Sequence, residues 1–152
     1  MAFSPDGKML ASGNYKTAIL WDVANGTDRF TLKGHISQVG SLQFSPDGRQ
    51  LVTRSIAVKL WNVKTGETIW SREQPKHFFN DVCFSKEGKA LFSDGPEGKL
   101  WEWDAATGRP SVSYDWGMGQ GEIQKLAMAP DGSQLAIVNS NGSLSLVPIP
   151  EQ

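Results

Sequence analysis

Cysteine is almost missing from this sequence: Cys83 is the single one among 152 residues. No disulfide can therefore form within the chain, which fits a reducing compartment. Long hydrophobic runs are missing too, so no segment reads as a membrane-crossing helix. Charge of one sign is not in excess. Lys and Arg number 15 against 16 Asp and Glu, a net charge of −1, whereas a nucleic-acid-binding surface normally shows a basic excess or stripe. The opening Met1-Ala-Phe-Ser-Pro-Asp-Gly7 has neither a basic start nor an apolar stretch and does not read as a signal peptide. Sustained 3.6-residue periodicity is lacking throughout, so helix content should be very low. The expectation is a cytoplasmic globular chain with no membrane and no nucleic-acid partner.

What the chain does contain is repetition. Phe3-Ser-Pro-Asp-Gly7 returns as Phe44-Ser-Pro-Asp-Gly48, as Phe84-Ser-Lys-Glu-Gly88 and, more worn, as Met128-Ala-Pro-Asp-Gly132. The spacing is roughly 40 to 44 residues, the period of stacked four-stranded units. A second phrase keeps step with the first: Leu20-Trp-Asp-Val-Ala-Asn-Gly26, Leu60-Trp-Asn-Val-Lys-Thr-Gly66 and Glu102-Trp-Asp-Ala-Ala-Thr-Gly108. In the fourth unit the equivalent stretch Leu146-Val-Pro-Ile149 has lost the Trp. Sixteen Gly and eight Pro punctuate short runs of alternating polarity, as in antiparallel strands joined by tight turns. The second unit reads as strands over 39–44, 50–53, 58–63 and 67–72, and the third as strands over 80–84, 89–92, 99–104 and 111–116.

These residues resemble the WD-repeat family of β-propellers, whose units carry a Gly-His pair, an FSPDG-like turn and a Trp-Asp pair. Gly34-His35 supplies the first element for the second unit. The resemblance implies an all-β propeller of about four WD-repeat blades, one domain over 1–152 with blades at about 1–33, 34–73, 74–116 and 117–152. Blades one and four look incomplete, because only the tail of a first strand precedes Phe3 and the chain stops just after a third strand. A four-blade ring, an eight-blade pair and an arc of a longer propeller all remain open. Association, as a homodimer or with another propeller chain, is favoured over a lone arc, which would leave apolar faces and strand edges bare.

The repeated residues are expected to be structural. Trp21, Trp61 and Trp103 are sized to fill space between blades, and Asp22 and Asp104 follow two of them. Pro-Asp-Gly is a turn made by proline's fixed φ, the Asp side chain and glycine's tolerance of positive φ. In the family the His of the Gly-His pair bonds a Ser or Thr that in turn meets the Trp. For His35 this implies Thr53 or Ser55, with Trp61. Cys83 lies among apolar neighbours and reads as packing. Asn25-Gly-Thr27 and Asn141-Gly-Ser143 match a glycosylation pattern but fit tight turns better without a secretion signal, and Gly117-Met-Gly-Gln-Gly121 lacks the following helix that a phosphate loop needs.

Function should therefore lie in positions that do not repeat. The expectation is a non-catalytic scaffold, without cofactor or metal, that binds a protein or peptide through loops sharing one face. The candidate contacts are Tyr15, Ser37, Gln38, Arg54, His77, Phe78, Asn80, Glu97, Met118 and Gln120. A propeller-type hydrolase or lyase is the rival, but it needs acids, bases or metal ligands to converge, and His35 and His77 stand in different contexts. The third reading is an incomplete fragment without separate activity.

Overall fold

The computed structural model describes residues 1–73, 79–114 and 121–149. Turn-forming Pro, Asp and Gly between short apolar runs cut the chain into fifteen described strands. The first sheet holds β1 (Ala2–Phe3), β2 (Met9–Gly13), β3 (Tyr15–Asp22) and β4 (Thr27–Gln38); the second holds β5 (Ser41–Phe44), β6 (Gln50–Arg54), β7 (Ala57–Asn62) and β8 (Thr68–Glu73). The third holds β9 (Val82–Phe84), β10 (Ala90–Asp94), β11 (Leu100–Asp104) and β12 (Arg109–Tyr114), and the fourth β13 (Ile123–Met128), β14 (Gln134–Asn139) and β15 (Leu144–Pro148). Strands lie in sequence order, each antiparallel to the next. A single 3₁₀ turn, Pro96–Gly98, is the one helical element among the described residues.

The strands fall on the expected segments of the second and third units, shifted by a residue or two at their ends. One difference is larger. The outer strand β4 does not stop before Gly34-His35 but runs on to Gln38. The cause is a shift in the β3–β4 ladder between Tyr15 and Thr17, which sets the four residues Gly34 to Ser37 against Lys16 alone. Gly34 takes φ 122 there, a value that side-chain-bearing residues rarely adopt.

The repeated turn phrase has one construction in the first two sheets. The Ser4 hydroxyl donates to Asp6 at 2.7 Å, the Lys8 N–H donates to the same Asp6 oxygen at 3.0 Å, and the Gly7 N–H reaches the Ser4 carbonyl at 2.9 Å. Ser45, Asp47, Arg49 and Gly48 repeat these bonds at 2.6, 3.0 and 2.8 Å. The bonds hold the Asp6 and Asp47 carboxyls below their ordinary pKa, the serine bond counting most. Asp22 and Asp104 sit after the Trp strand and accept turn N–H groups from Asn25 at 3.0 Å and Thr107 at 2.7 Å. Asn25-Gly-Thr27 and Asn141-Gly-Ser143 are turns, with φ 66 at Gly26 and 82 at Gly142.

A second bond, which the resemblance implied for Trp61 alone, recurs in three sheets. The indole N–H of Trp21 donates to Ser12 at 2.8 Å, that of Trp61 to Thr53 at 2.7 Å and that of Trp103 to Ser93 at 2.9 Å. Each acceptor stands nine positions after the phenylalanine that opens its unit. In the fourth sheet Val147 takes the Trp place opposite Leu135, and the nine-step position is the apolar Ile137.

The chain divides into two compact units, Met1–Phe79 and Asn80–Gln152. In the first, one cluster joins Ala11, Ala18, Leu20 and Leu32 of the first sheet to Phe44, Leu51, Trp61 and Val63, with Val39 between. In the second, Cys83, Phe92 and Leu100 of the third sheet meet Ile123, Leu126, Leu135, Ile137 and Val147. Two sheets thus share each core. Leu144 and Leu146, which alternate on one face of β15, are 65% and 57% exposed.

Candidate functional site

In the first unit the connections at one end of the sheets come together. A single residue, Asn14, joins β2 to β3. Its N–H reaches the Thr17 carbonyl at 2.8 Å, and its side-chain oxygen accepts the Tyr15 N–H at 2.7 Å. Lys16, at φ 65, is the one non-glycine residue with positive φ among those described, and its ammonium lies 5.1 Å from the centre of the Tyr15 ring. Tyr15 pairs with Gln38 across the β3–β4 ladder. The Val39 N–H then reaches back to the Asn14 carbonyl at 3.1 Å, and the Gly40 N–H to the Arg54 carbonyl at 3.0 Å. The Arg54 guanidinium lies across Gly40, where a Cβ would meet it at 3.0 Å. Of the sequence candidates, Tyr15, Ser37, Gln38 and Arg54 therefore share this end. Tyr15 is 62% exposed, and beside Ser37 the structure adds Ile36, 64% exposed. Sequence reading passed over Ile36; the signal available was an isoleucine in a polar connection, next to a histidine that turns inward.

That histidine marks the inner side of the same bulge. His35 Nε2 lies 2.7 Å from the Thr53 hydroxyl oxygen, which also accepts the Trp61 indole N–H. Of the two partners left open by the sequence, Thr53 takes the bond, while the buried Ser55 hydroxyl and His35 Nδ1 have no hydrogen-bond partner among the described residues. Burial, with the nearby Lys59 charge adding to it, lowers the His35 pKa to about 4. The ring is neutral at neutral pH and poorly suited to act as a base there. The folded-state value lies below the ordinary 6.5, so as pH falls from 6.5 towards 4 the unfolded chain takes up a proton that the folded chain refuses. Stability from this group is complete above that window and is lost as pH falls through it, by at most about 1.4 kcal/mol per pH unit. Chemical denaturation between pH 7 and 4 should show this slope in the parent and a shallower one in His35→Phe. Identical slopes would remove His35 from the account.

In the second unit the candidate residues are used differently. The Asn80 and Asp81 N–H groups both donate to one oxygen of the buried Asp94, at 2.7 and 2.9 Å. The Asn80 side chain donates to the Ile123 carbonyl at 2.9 Å, and Asp81 accepts the Leu126 N–H at 3.0 Å, with the Lys125 ammonium 3.7 Å away. Asn80 is thus committed to joining the third and fourth sheets. Glu97 lies in the Pro96–Gly98 turn. His77, Phe78, Met118 and Gln120 lie outside the described residues, as does most of the Gly117–Gly121 segment. Phe79, the neighbour of Phe78, is buried.

Among the described residues no three His, Cys, Asp or Glu side chains stand where they could hold a metal ion. Burial, with Asp81 adding to it, pushes the Cys83 thiol up, away from its reactive thiolate.

The family model described as "WD domain, G-beta repeat" matches residues 1–22 and 26–62. The chain belongs to the WD-repeat family. Its all-β sheets are propeller blades, and among the described residues no sheet closes on itself. This WD-repeat chain is similar to the "Serine-threonine kinase receptor-associated protein" of Gallus gallus, 31% identical over 95% of the chain and 40% of that protein. It is similar to the "Guanine nucleotide-binding protein subunit beta" of Solanum tuberosum, 31% identical over 87% of the chain and 38% of that protein. The "WD repeat-containing protein 26 homolog" of Arabidopsis thaliana is 28% identical over 96% of the chain and 26% of its own length. The WD-repeat chain therefore spans about two fifths, or less, of these relatives. No helix described is long and apolar enough to cross a membrane.

Proposed function

We propose that this WD-repeat chain is a non-catalytic scaffold that binds a protein or peptide at the loop end of its first unit, through Tyr15, Ile36, Gln38 and Arg54. The observation that carries the reading is an aromatic and an aliphatic side chain, both mostly exposed, set beside an arginine on a backbone held by main-chain bonds. Aromatic and arginine side chains are enriched among the anchors of protein interfaces, and here Tyr15 is exposed while Arg54 is half-buried. The names of two relatives, one a receptor-associated protein and the other a subunit, accord with binding to proteins. Glu97, in the second unit, belongs to the same set of non-repeating loops, as do His77, Phe78, Met118 and Gln120 in sequence. The compartment proposed is the cytoplasm.

The test is a random-peptide display selection on the immobilised chain. Enriched peptides should bind Tyr15→Ala/Arg54→Ala at least tenfold more weakly, while the melting temperature stays within a few degrees and binding to Lys64→Ala is unchanged. Peptides that bind all three chains equally, or no enrichment at all, would remove this end as the site.

A further inference from the structure

The charge of the first unit is divided between its two ends. Register places Lys16, Lys33, Arg54, Lys59 and Arg72 in the halves of the first two sheets nearer the loop end, with Glu73 as the one acid among the described residues there. In the opposite halves Asp6, Asp22, Asp28, Asp47 and Glu67 outnumber four cations. The chain's overall balance of −1 conceals this polarity. A partner that approaches the loop end meets a positive field.

Three of these cations are held in place. Lys16 takes φ 65, a conformation uncommon for residues with a side chain, and its ammonium lies 5.1 Å from the centre of the exposed Tyr15 ring. Arg54 lies along Gly40, whose missing side chain leaves room for the guanidinium: a Cβ there would meet three of its atoms at 3.0 to 3.1 Å. Lys59 donates to the Ser71 hydroxyl at 2.9 Å, and its ammonium stands 3.9 Å from where a Cβ on Gly34 would be. Among the described residues no carboxylate pairs with Lys16 or Lys59, and the ion pair of Arg49 with Asp47 belongs to the far end.

We propose that the segment bound at this end is acidic, a short peptide whose apolar side chain packs on Tyr15 and Ile36 while its carboxylates face Lys16 and Arg54. The inference rests on the loop-end reading and adds the chemistry of the partner. Tyr15 and Ile36 supply contact area beside the charges, and a guanidinium receives a carboxylate through two parallel N–H donors. Lys59 and Arg72 strengthen the field from behind without touching the ligand. A short segment fits better than a long polyanion, because the acids of the far half would repel a line of negative charge that continued along the sheets.

Three labelled peptide pools test it by fluorescence anisotropy on the whole chain, at low and at raised salt. All carry a central Leu or Phe, flanked by Glu and Asp in the first, by Ser and Gly in the second, and by Lys and Arg in the third. The acidic pool should bind about tenfold more tightly than the neutral one, which is what two modest exposed charge pairs supply together, and the margin should shrink as salt screens them. The basic pool should bind least. Lys16→Gly, which suits the positive φ at that position, and Arg54→Gln should each weaken the acidic pool about threefold, one pair's share of that margin, while the chain still melts cooperatively. Lys64→Gln, at the far end, should leave the margin intact. Should Arg54→Gln fail to melt cooperatively, Lys16→Gly alone decides. Neutral peptides bound as tightly as acidic ones, and weakened with them by Tyr15→Ala, keep the loop-end site and overturn its preference for acid. Acidic peptides bound equally by the parent and Lys16→Gly overturn it too, as does a single-stranded oligonucleotide that binds more tightly than the acidic pool. If no pool binds, the loop-end reading falls and this inference with it.

Discussion

Trp61→Ala should destabilise the chain by about 3 to 5 kcal/mol, the range for emptying a large buried aromatic site. The side chain is 2% exposed and belongs to the cluster joining the first and second sheets, so removing it opens a cavity that two sheets line. It also deprives Thr53 of its indole donor and removes the ring whose centre lies 6.2 Å from that of His35. Lys64→Ala, on the exposed turn that follows, should stay within about 0.5 kcal/mol. Urea unfolding of the two variants beside the parent makes the comparison. Equal midpoints would mean that the tryptophan is not packed between sheets.

Asp94→Ala should cost roughly 2 to 4 kcal/mol. Asp94 is 1% exposed, and one of its oxygens accepts two backbone N–H groups at the entry to β9. Leaving buried donors without partners costs about 1 to 3 kcal/mol each. Asp94→Asn keeps a carbonyl oxygen in place and should recover much of that loss. Amide hydrogen exchange at Asn80 and Asp81 adds a local reading: protection there should fall in the alanine variant and partly return in the asparagine one. A stability within 0.5 kcal/mol of the parent would show that these N–H groups find other acceptors.

The fold was largely legible because its turns are chemical signatures. A serine, an aspartate and a glycine at fixed offsets can be read as a turn without knowing what lies above it, and so can the Trp-Asp closing phrase. The site was legible only in part, since exposure depends on the neighbouring sheet as well as on the residue. Ile36 and Ile69 are both branched aliphatics in or beside strands and both lie open, while Phe79 is closed off; no alternation rule separates them. Asn80 looked like a free loop side chain, yet its amide spans from the entry of one sheet to the strand of the next, a bond of 43 residues' separation that no local pattern announces. The partner of His35 was legible, since Thr53 was one of the two residues the resemblance implied, but the run of β4 through Gly34-His35 was not: the shift in pairing at Tyr15 is a property of two strands together.

The shared cores carry an arithmetic of their own. Each cluster takes one face from one sheet and one from the next, so the unit that recurs in the sequence is not the unit that can hide its apolar surface. A residue on one sheet is therefore answerable to two: shortening a side chain on either face of such a core loosens the partner sheet as much as its own, and a change tolerated within one repeat is decided by the repeat beside it.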